Sequence, residues 1–208
     1  MPILTERLFD DADTTPLDPF AVFEEWFAEA LTSEPHDPHA MAIATVDDAG
    51  LPDVRMVLMN ARDTRGFAFF TNFGSAKGQQ LLANPHAAMV MHWKSLRRQV
   101  RARGPVEVVA PEEADAYFAT RARGSQIASS ASEQSRPLES REKLLGRIEA
   151  MTRRLGDAPV PRPQHWSGFR IVPLAIEFWK DGAFRVHDRV LFTREAVAEP
   201  WQRQRLYP

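Results

Sequence analysis

Arg185, His187 and Arg189 stand two residues apart near the C-terminus, just after an Asp181-Gly182 pair that reads as a hairpin turn. On a strand, that spacing sends all three side chains out of one face. Two guanidiniums and an imidazole gathered there repel one another unless an anion or a set of carboxylates sits among them. Such a face suits a phosphorylated or otherwise anionic ligand. The same spacing also fits a solvated face balanced by Asp188 and Glu177.

Other cations and hydroxyls gather at the ends of expected elements. Arg55 lies on an otherwise apolar strand, where a cation is costly unless paired or bound to an anion. Ser75 and Lys77 open a helix, whose first N–H groups and dipole favour a phosphate; a plain N-cap is the other reading of Ser75. Gln99 is a lone strand amide among Arg97, Arg98, Arg101 and Arg103. Tyr117, Arg121 and Ser125 are spaced four apart and share a face if one helix spans them. That face would hold a phosphate monoester, or be a solvated helix end.

Several chemistries find no support. The six histidines, at 36, 39, 86, 92, 165 and 187, lack metal-ligand spacing, so no metal is expected. With no cysteine there is no disulfide, thiolate site or cysteine nucleophile. GxSxG, P-loop and GxGxxG motifs are absent. A formal net charge of -2 gives no reason to expect nucleic acid or a membrane surface as a partner, so any cationic site is local. Hydrophobic content of 44% and charged content of 26% are those of a soluble globular protein. No stretch approaches the ~20 apolar residues of a membrane span, and no cationic, apolar leader is apparent. The expectation is a soluble cytoplasmic protein.

The elements that must position these groups follow from pattern. Residues 1–17 read as a flexible arm rich in aspartate. Asp18-Pro19 starts a helix with Phe20, Phe23, Trp26, Phe27 and Ala30 at helical spacing, an aromatic stripe that reads as core. Strands are expected over 41–46, 54–59, 67–71, 87–93 and 99–109, and from Gly168 onward. Helices are expected from Ser75 through Leu82, from Pro111 through Arg121 and from about Leu138 to Leu155. Residues 122–137 read as a long polar connection, functional or mobile. Hairpin-linked strands with interspersed helices predict an α+β, mainly β protein whose antiparallel sheet closes into a small barrel with flanking helices.

Taken together, Arg55-Met56-Val57-Leu58, Phe70-Thr71-Asn72-Phe73-Gly74-Ser75, Lys77, the run from Trp93 to Val100, Ala116-Tyr117-Phe118, Gln134-Ser135, the segment from Ile176 to Arg189 and the closing Arg205-Leu206-Tyr207-Pro208 resemble the pyridoxamine 5'-phosphate oxidase family. The resemblance is collinear over about residues 18–208. It implies one FMN-binding split-barrel domain over 18–208, with a dimerisation and active-site hairpin at 168–208. It also implies a homodimer with FMN at the interface, oxidising pyridoxine or pyridoxamine 5'-phosphate to pyridoxal 5'-phosphate while O2 becomes H2O2. Residues implied to contact FMN are Arg55, Met56, Val57, Leu58, Phe70, Thr71, Ser75, Lys77, Gln99, Gln134, Ser135, Trp179 and Arg189. Tyr117, Arg121 and Ser125 would hold the substrate phosphate, with Arg185, Val186 and His187 over its ring and Arg185 and His187 catalytic.

The chain departs from the usual family pattern at several places. Asn60 stands where a lysine commonly reaches the substrate phosphate, and Ala76 where a longer polar or basic residue helps hold the FMN phosphate. Ser129-Ser130 and Glu133 replace a more usual Ala-Trp and Lys, and Arg7 alone does not replace a basic N-terminal segment that covers the substrate in some relatives. FMN binding with weakened phosphate-substrate affinity is therefore expected. Two other readings fit the same motifs: a flavin oxidase of another substrate, such as a dihydrophenazine, and a non-catalytic flavin-binding module. Tyr117, Arg121, Ser125, Arg185 and His187 argue for the first reading over both.

Overall fold

The helix α2 (Pro19–Ser33) is set by its ends and its stripe. Asp18 caps it, its carboxylate accepting from Phe20 N at 3.0 Å, and Pro19 fills the first turn, where no N–H is needed. Phe20, Phe23, Trp26 and Phe27 fall on one face and are buried. Each such ring contributes on the order of 1.5–3 kcal/mol by leaving water. The computed structural model describes residues 4–208, so Met1 to Ile3 of the expected arm lie outside the described residues.

The face packs onto a wholly antiparallel sheet. Its strands are β1 (Ala40–Val46), β2 (Pro52–Leu58), β3 (Ala61–Asp63), β4 (Gly66–Asn72), β5 (His86–Trp93), β6 (Arg98–Val108), β7 (Trp166–Ile171), β8 (Ala175–Lys180), β9 (Asp188–Thr193) and β10 (Gln202–Arg205). One path runs β10-β9-β8-β6-β5-β1-β2, and a second leaves β6 through β7 and β4 to β3. Phe23 meets Phe67 of β4 edge-on at 4.8 Å, and Trp26 meets Phe178 of β8 at 5.2 Å, so one helix seals both paths.

The long strand β6 joins the two paths by changing partner. Arg98 to Arg103 pair with β8, whereas Val106 to Val108 pair with β7. The change falls at Gly104-Pro105, where the β7–β8 connection crosses so closely that a side chain at 104 would meet the Val172 carbonyl. Only glycine fits there. This corner curls the antiparallel sheet into the barrel that the sequence pattern predicted, branched in the split form that the resemblance implied.

Four helices flank the sheet beyond α2: α3 (Ala76–Ala83), α4 (Pro111–Thr120), α5 (Arg123–Ala131) and α6 (Arg141–Leu155). Arg170 of β7, only 1% exposed, ties α4 to the barrel through Glu113 at 2.5 Å, with Asp63 and Glu107 beside it. The charge is buried but compensated by three carboxylates.

Three expectations are corrected. Residues 4–9 are not a loose arm but a helix, α1 (Leu4–Phe9), because Glu25 accepts from Leu4 N and Thr5 N at 2.8 Å and Trp26 donates to Thr5 Oγ1. Residues 123–131 of the expected polar connection form α5, with Ile127 buried. Asp181-Gly182 is not a two-residue turn: Lys180 pairs with Asp188, leaving a seven-residue loop, 181–187, in which Phe184 and Arg185 are left-handed at φ 55° and 66°. Gly182 lies against the Val186 carbonyl and leaves no room for a side chain. Arg185 and His187 therefore leave the strand face, and of the predicted trio only Arg189 sits on β9.

Candidate functional site

A cavity of about 530 Å³ opens between the ends of β2 and β4 and the helices α4, α5 and α6. Among the sequence-predicted site residues it gathers Met56, Val57, Leu58, Phe70, Thr71, Lys77, Tyr117, Arg121, Ser125 and Gln134. Its lining includes two cations, Lys77 and Arg121, and no carboxylate among the described residues.

Lys77 lies in the first turn of α3 and is 8% exposed. Its ammonium donates to Thr71 Oγ1 at 3.3 Å and Gln134 Oε1 at 3.4 Å, two long bonds to neutral oxygens. Burial pushes its pKa down, and the nearby Arg55 adds to the shift. Asp53 opposes the shift from a distance, but no anion bonds to this buried ammonium, and its three donors make a strong site for one.

Arg121 marks a second cationic pole. The helix expected to carry Tyr117, Arg121 and Ser125 on one face breaks at Arg121, whose ψ of 145° ends α4. The three residues nevertheless line the same cavity, and Gln126 of α5 donates to the Phe118 carbonyl of α4. The guanidinium rests over the Trp166 ring at 4.9 Å and donates to Ser129 Oγ at 2.7 Å. Burial lowers its pKa while Tyr117 opposes the shift; an arginine stays charged regardless. Phe70 and Tyr117 stack at 4.2 Å, and Phe70 stacks on Trp166 at 5.4 Å, giving a flat aromatic wall.

Other predicted site residues lie elsewhere. Arg55 reaches back to Thr45 Oγ1, Gln80 Oε1 and the Asp53 carboxylate. Ser75 is a buried N-cap, accepting from Gly78 N and donating to the Asn72 carbonyl. Ser135 follows Gln134 in a left-handed conformation, φ 71°. Gln99 pairs with Trp179 across β6 and β8, and Trp179 in turn pairs with Arg189 of β9. Arg189 donates to Glu177 Oε1 at 3.0 Å and the Tyr207 carbonyl at 2.9 Å. His187 sits 4.8 Å from the Trp179 ring, its Nδ1 accepting from Gly182 N at 3.2 Å beside Asp181 Oδ1. Arg185 and Val186 are exposed, as is Phe184 at 97%.

These groups fall into two sets. The lining stretch Met56 to Leu58 is on β2, one end of the main path, while Arg189 is on β9 near the other, with β8, β6, β5 and β1 between them. Sequence reasoning missed Trp166, Leu144 and Ile148 as lining residues. The four-residue spacing of Leu144 and Ile148 on α6 was the available signal; nothing local marks Trp166.

Comparison with known proteins identifies the family. The family described as "Pyridoxamine 5'-phosphate oxidase" matches residues 27–153, and the "Pyridoxine 5'-phosphate oxidase C-terminal dimerisation region" matches 166–208. A protein of Azorhizobium caulinodans named pyridoxine/pyridoxamine 5'-phosphate oxidase is 58% identical over 205 residues, 99% of this chain and 95% of its own. One of the same name from Nitrobacter winogradskyi is 56% identical, covering 98% of this chain and 96% of its own. Among solved structures, PhzG from Burkholderia lata 383, in complex with tetrahydrophenazine-1-carboxylic acid, superposes with a TM-score of 0.88 at 30% identity, covering 96% of this chain and 97% of its own. An FMN-binding protein of Nostoc punctiforme shares the fold at a TM-score of 0.74 and 17% identity, over 92% of this chain and 98% of its own. With a barrel, a carboxylate-free cavity and near-complete matches to both halves of the family's sequence, this chain belongs to the pyridoxamine 5'-phosphate oxidase family.

Proposed function

We propose that this protein is an FMN-dependent oxidase that converts pyridoxamine and pyridoxine 5'-phosphates to pyridoxal 5'-phosphate, passing the electrons to O2 to give H2O2. The observation that carries this reading is the cavity with two unpaired cations, Lys77 and Arg121, and no carboxylate in its lining. Two anionic groups, one on a cofactor and one on a substrate, satisfy both. High identity to relatives bearing the oxidase name supports the same chemistry.

The residues present fit a flavin phosphate. Lys77 supplies a buried ammonium whose present partners are two long, neutral bonds, and Thr71 and Gln134 supply polar atoms beside it. The backbone and side chains of Met56, Val57 and Leu58 would border the ring system. Bound flavin supplies the two-electron acceptor that no side chain of this protein provides. Tyr117, Arg121 and Ser125 grip the substrate phosphate, so that the aromatic substrate is held flat and near its acceptor. Leu144 and Ile148 of α6 help exclude water from that end.

Arg185, Val186 and His187 reach the cavity from a second copy of the chain. Support comes from the dimerisation region that contains them, from the exposure of Phe184 and Val186, and from the four strands that separate β9 from β2 in one chain. With Nδ1 accepting from Gly182 N, the His187 ring carries its hydrogen on Nε2 and offers that donor to the substrate amine or alcohol; Arg185 orients the ring. A cytoplasmic location belongs to the same reading and accords with the absence of cysteine.

The test is peroxide formation by the yellow, flavin-loaded protein with pyridoxamine or pyridoxine 5'-phosphate. A dihydrophenazine carboxylic acid serves as the competing substrate, chosen because of the likeness to PhzG. Turnover of the dihydrophenazine alone would transfer the site to that chemistry, and flavin binding with turnover of neither would leave a storage module.

A further inference from the structure

Two of the three groups that face the proposed substrate phosphate, Tyr117 and Arg121, are held from behind by polar side chains, and the hydrogen-bond directions are fixed. Asn60, in the turn between β2 and β3, accepts from Phe70 N at its Oδ1, 3.3 Å away. A backbone N–H can only donate, so the amide oxygen is assigned to that side and Nδ2 faces Tyr117. Nδ2 donates to the Tyr117 oxygen at 2.6 Å. The phenol therefore accepts from Asn60 and keeps its own hydrogen for the cavity. Its ring is held in place by the stack on Phe70.

Arg121 is held in the same manner. Trp166 supports its flat face and Ser129, from α5, accepts from Nη1 at 2.7 Å. The remaining N–H groups stay available to the cavity. Lys77 belongs to neither tether; its bonds go to Thr71 and Gln134.

We infer that Asn60 and Ser129 are positioning residues that aim the Tyr117 hydroxyl and the Arg121 guanidinium at one phosphate monoester, so that this end of the cavity binds through pre-set donors around a single cation. Fixing donors in advance removes ordering cost from the binding step and discriminates against ligands that lack the phosphate. The inference takes the chemical identity of the ligand from the proposed function, but the geometry of the tethers is independent of it.

The experiment compares 4-deoxypyridoxine 5'-phosphate with 4-deoxypyridoxine, a pair differing only in the phosphate and having no oxidisable 4' group. Binding is read from the flavin absorbance of the flavin-loaded protein, so no turnover is needed. Asn60→Asp keeps the size and the acceptor for Phe70 N but draws the Tyr117 hydrogen onto its own carboxylate; it should weaken the phosphorylated ligand about tenfold or more. Ser129→Ala, which leaves Trp166 in place, should weaken it about threefold to tenfold. Asn60→Ala should cost several-fold alone and nothing further in a Tyr117→Phe background. The unphosphorylated ligand and flavin content should not move. Tm should hold in Asn60→Asp and Ser129→Ala and fall only in Asn60→Ala, where Phe70 N loses its acceptor. KM for the phosphorylated substrates should rise with kcat retained.

Equal losses for both ligands, or none for either, would overturn the tethers, as would a wild-type protein with no preference for the phosphorylated ligand. Failure of the wild type to form peroxide, with the phosphate preference and its loss intact, would instead overturn the proposed reaction and leave the tethers standing.

Discussion

The cavity and the C-terminal loop were expected to form one site, yet one chain treats them in opposite ways. Around the cavity, Lys77 is buried, aromatic rings stack in parallel, and Tyr117 and Arg121 are tied from behind. Around residues 183–187 the backbone takes left-handed turns, and Phe184, Arg185 and Val186 face solvent. The difference fits the proposed reading, in which binding groups are organised within a chain and the groups assigned to chemistry come from a second copy. Phe184 at 97% exposure has no reason to be where it is in an isolated chain.

That contrast can be broken at four points. His187→Ala should lower kcat by about 10²-fold or more while leaving cavity-ligand affinity unchanged. Lys77→Met is also expected to be inactive, for lack of flavin. Mixed and reassociated chains of the two variants should recover about a quarter of wild-type activity, since half the dimers carry one intact site of two. No recovery would place both sets of groups in one chain.

Lys77→Met itself should weaken FMN about tenfold or more, read by flavin fluorescence, because charge-assisted bonds are lost. The flavin-free variant should melt at a higher temperature than flavin-free wild type, since a buried unpaired cation is removed. The pH sign follows from the lowered Lys77 pKa. Between the folded value and the ordinary lysine value the unfolded chain binds more protons, so wild-type apoprotein gains stability as pH rises through that window. The variant should show a flatter profile in pH-dependent melting.

Glu177→Ala is expected to destabilise the fold by about 1 kcal/mol in urea titrations, because Arg101 and Arg189, both reached by solvent, would lose a shared partner. Burial alone would raise the Glu177 pKa, but hydrogen bonds from Arg189 and Arg101 outweigh it and hold the carboxyl below its usual range. Its contribution is thus present above the ordinary carboxylate value and disappears as pH falls through the folded one. An unchanged midpoint for Glu177→Ala would show that β8 and β9 are held by their backbone ladder alone.

The smallest effect concerns Asn60→Lys. A lysine adds charge-assisted bonding to the substrate phosphate but removes the Tyr117 tether and leaves Phe70 N without its acceptor. KM for the phosphorylated substrate should fall only about two- to threefold, against the tenfold or more that an unopposed charged bond would give. A full tenfold gain would mean that the tether contributes little.

Legibility from sequence followed the range of the interactions. Asp18-Pro19 and the aromatic stripe located α2, and strand 41–46 was seen almost to its ends, because capping and alternation are local. The helix α1 escaped notice since its N–H groups are satisfied by Glu25, some twenty residues away. The turn at Asp181-Gly182 misled for a related reason: the pairing of Lys180 with Asp188 overrode the local turn preference. Arg55 looked like an anion ligand from its apolar strand, yet Thr45, Gln80 and Asp53 engage it. Asn60 and Ser129 were visible only as departures from a pattern; their partners on α4 made them interpretable.

The sequence by itself determined the family, the order of the longer strands and helices and most of the groups that line the cavity, because those depend on residue type, spacing and short-range capping. Tertiary structure decided which cations stay unpaired, which way Asn60 and Tyr117 share a hydrogen, and that Arg185 and His187 stand apart from the cavity. Those outcomes depend on where β6 changes partner and on the break between α4 and α5 at Arg121, geometry that no window of residues encodes.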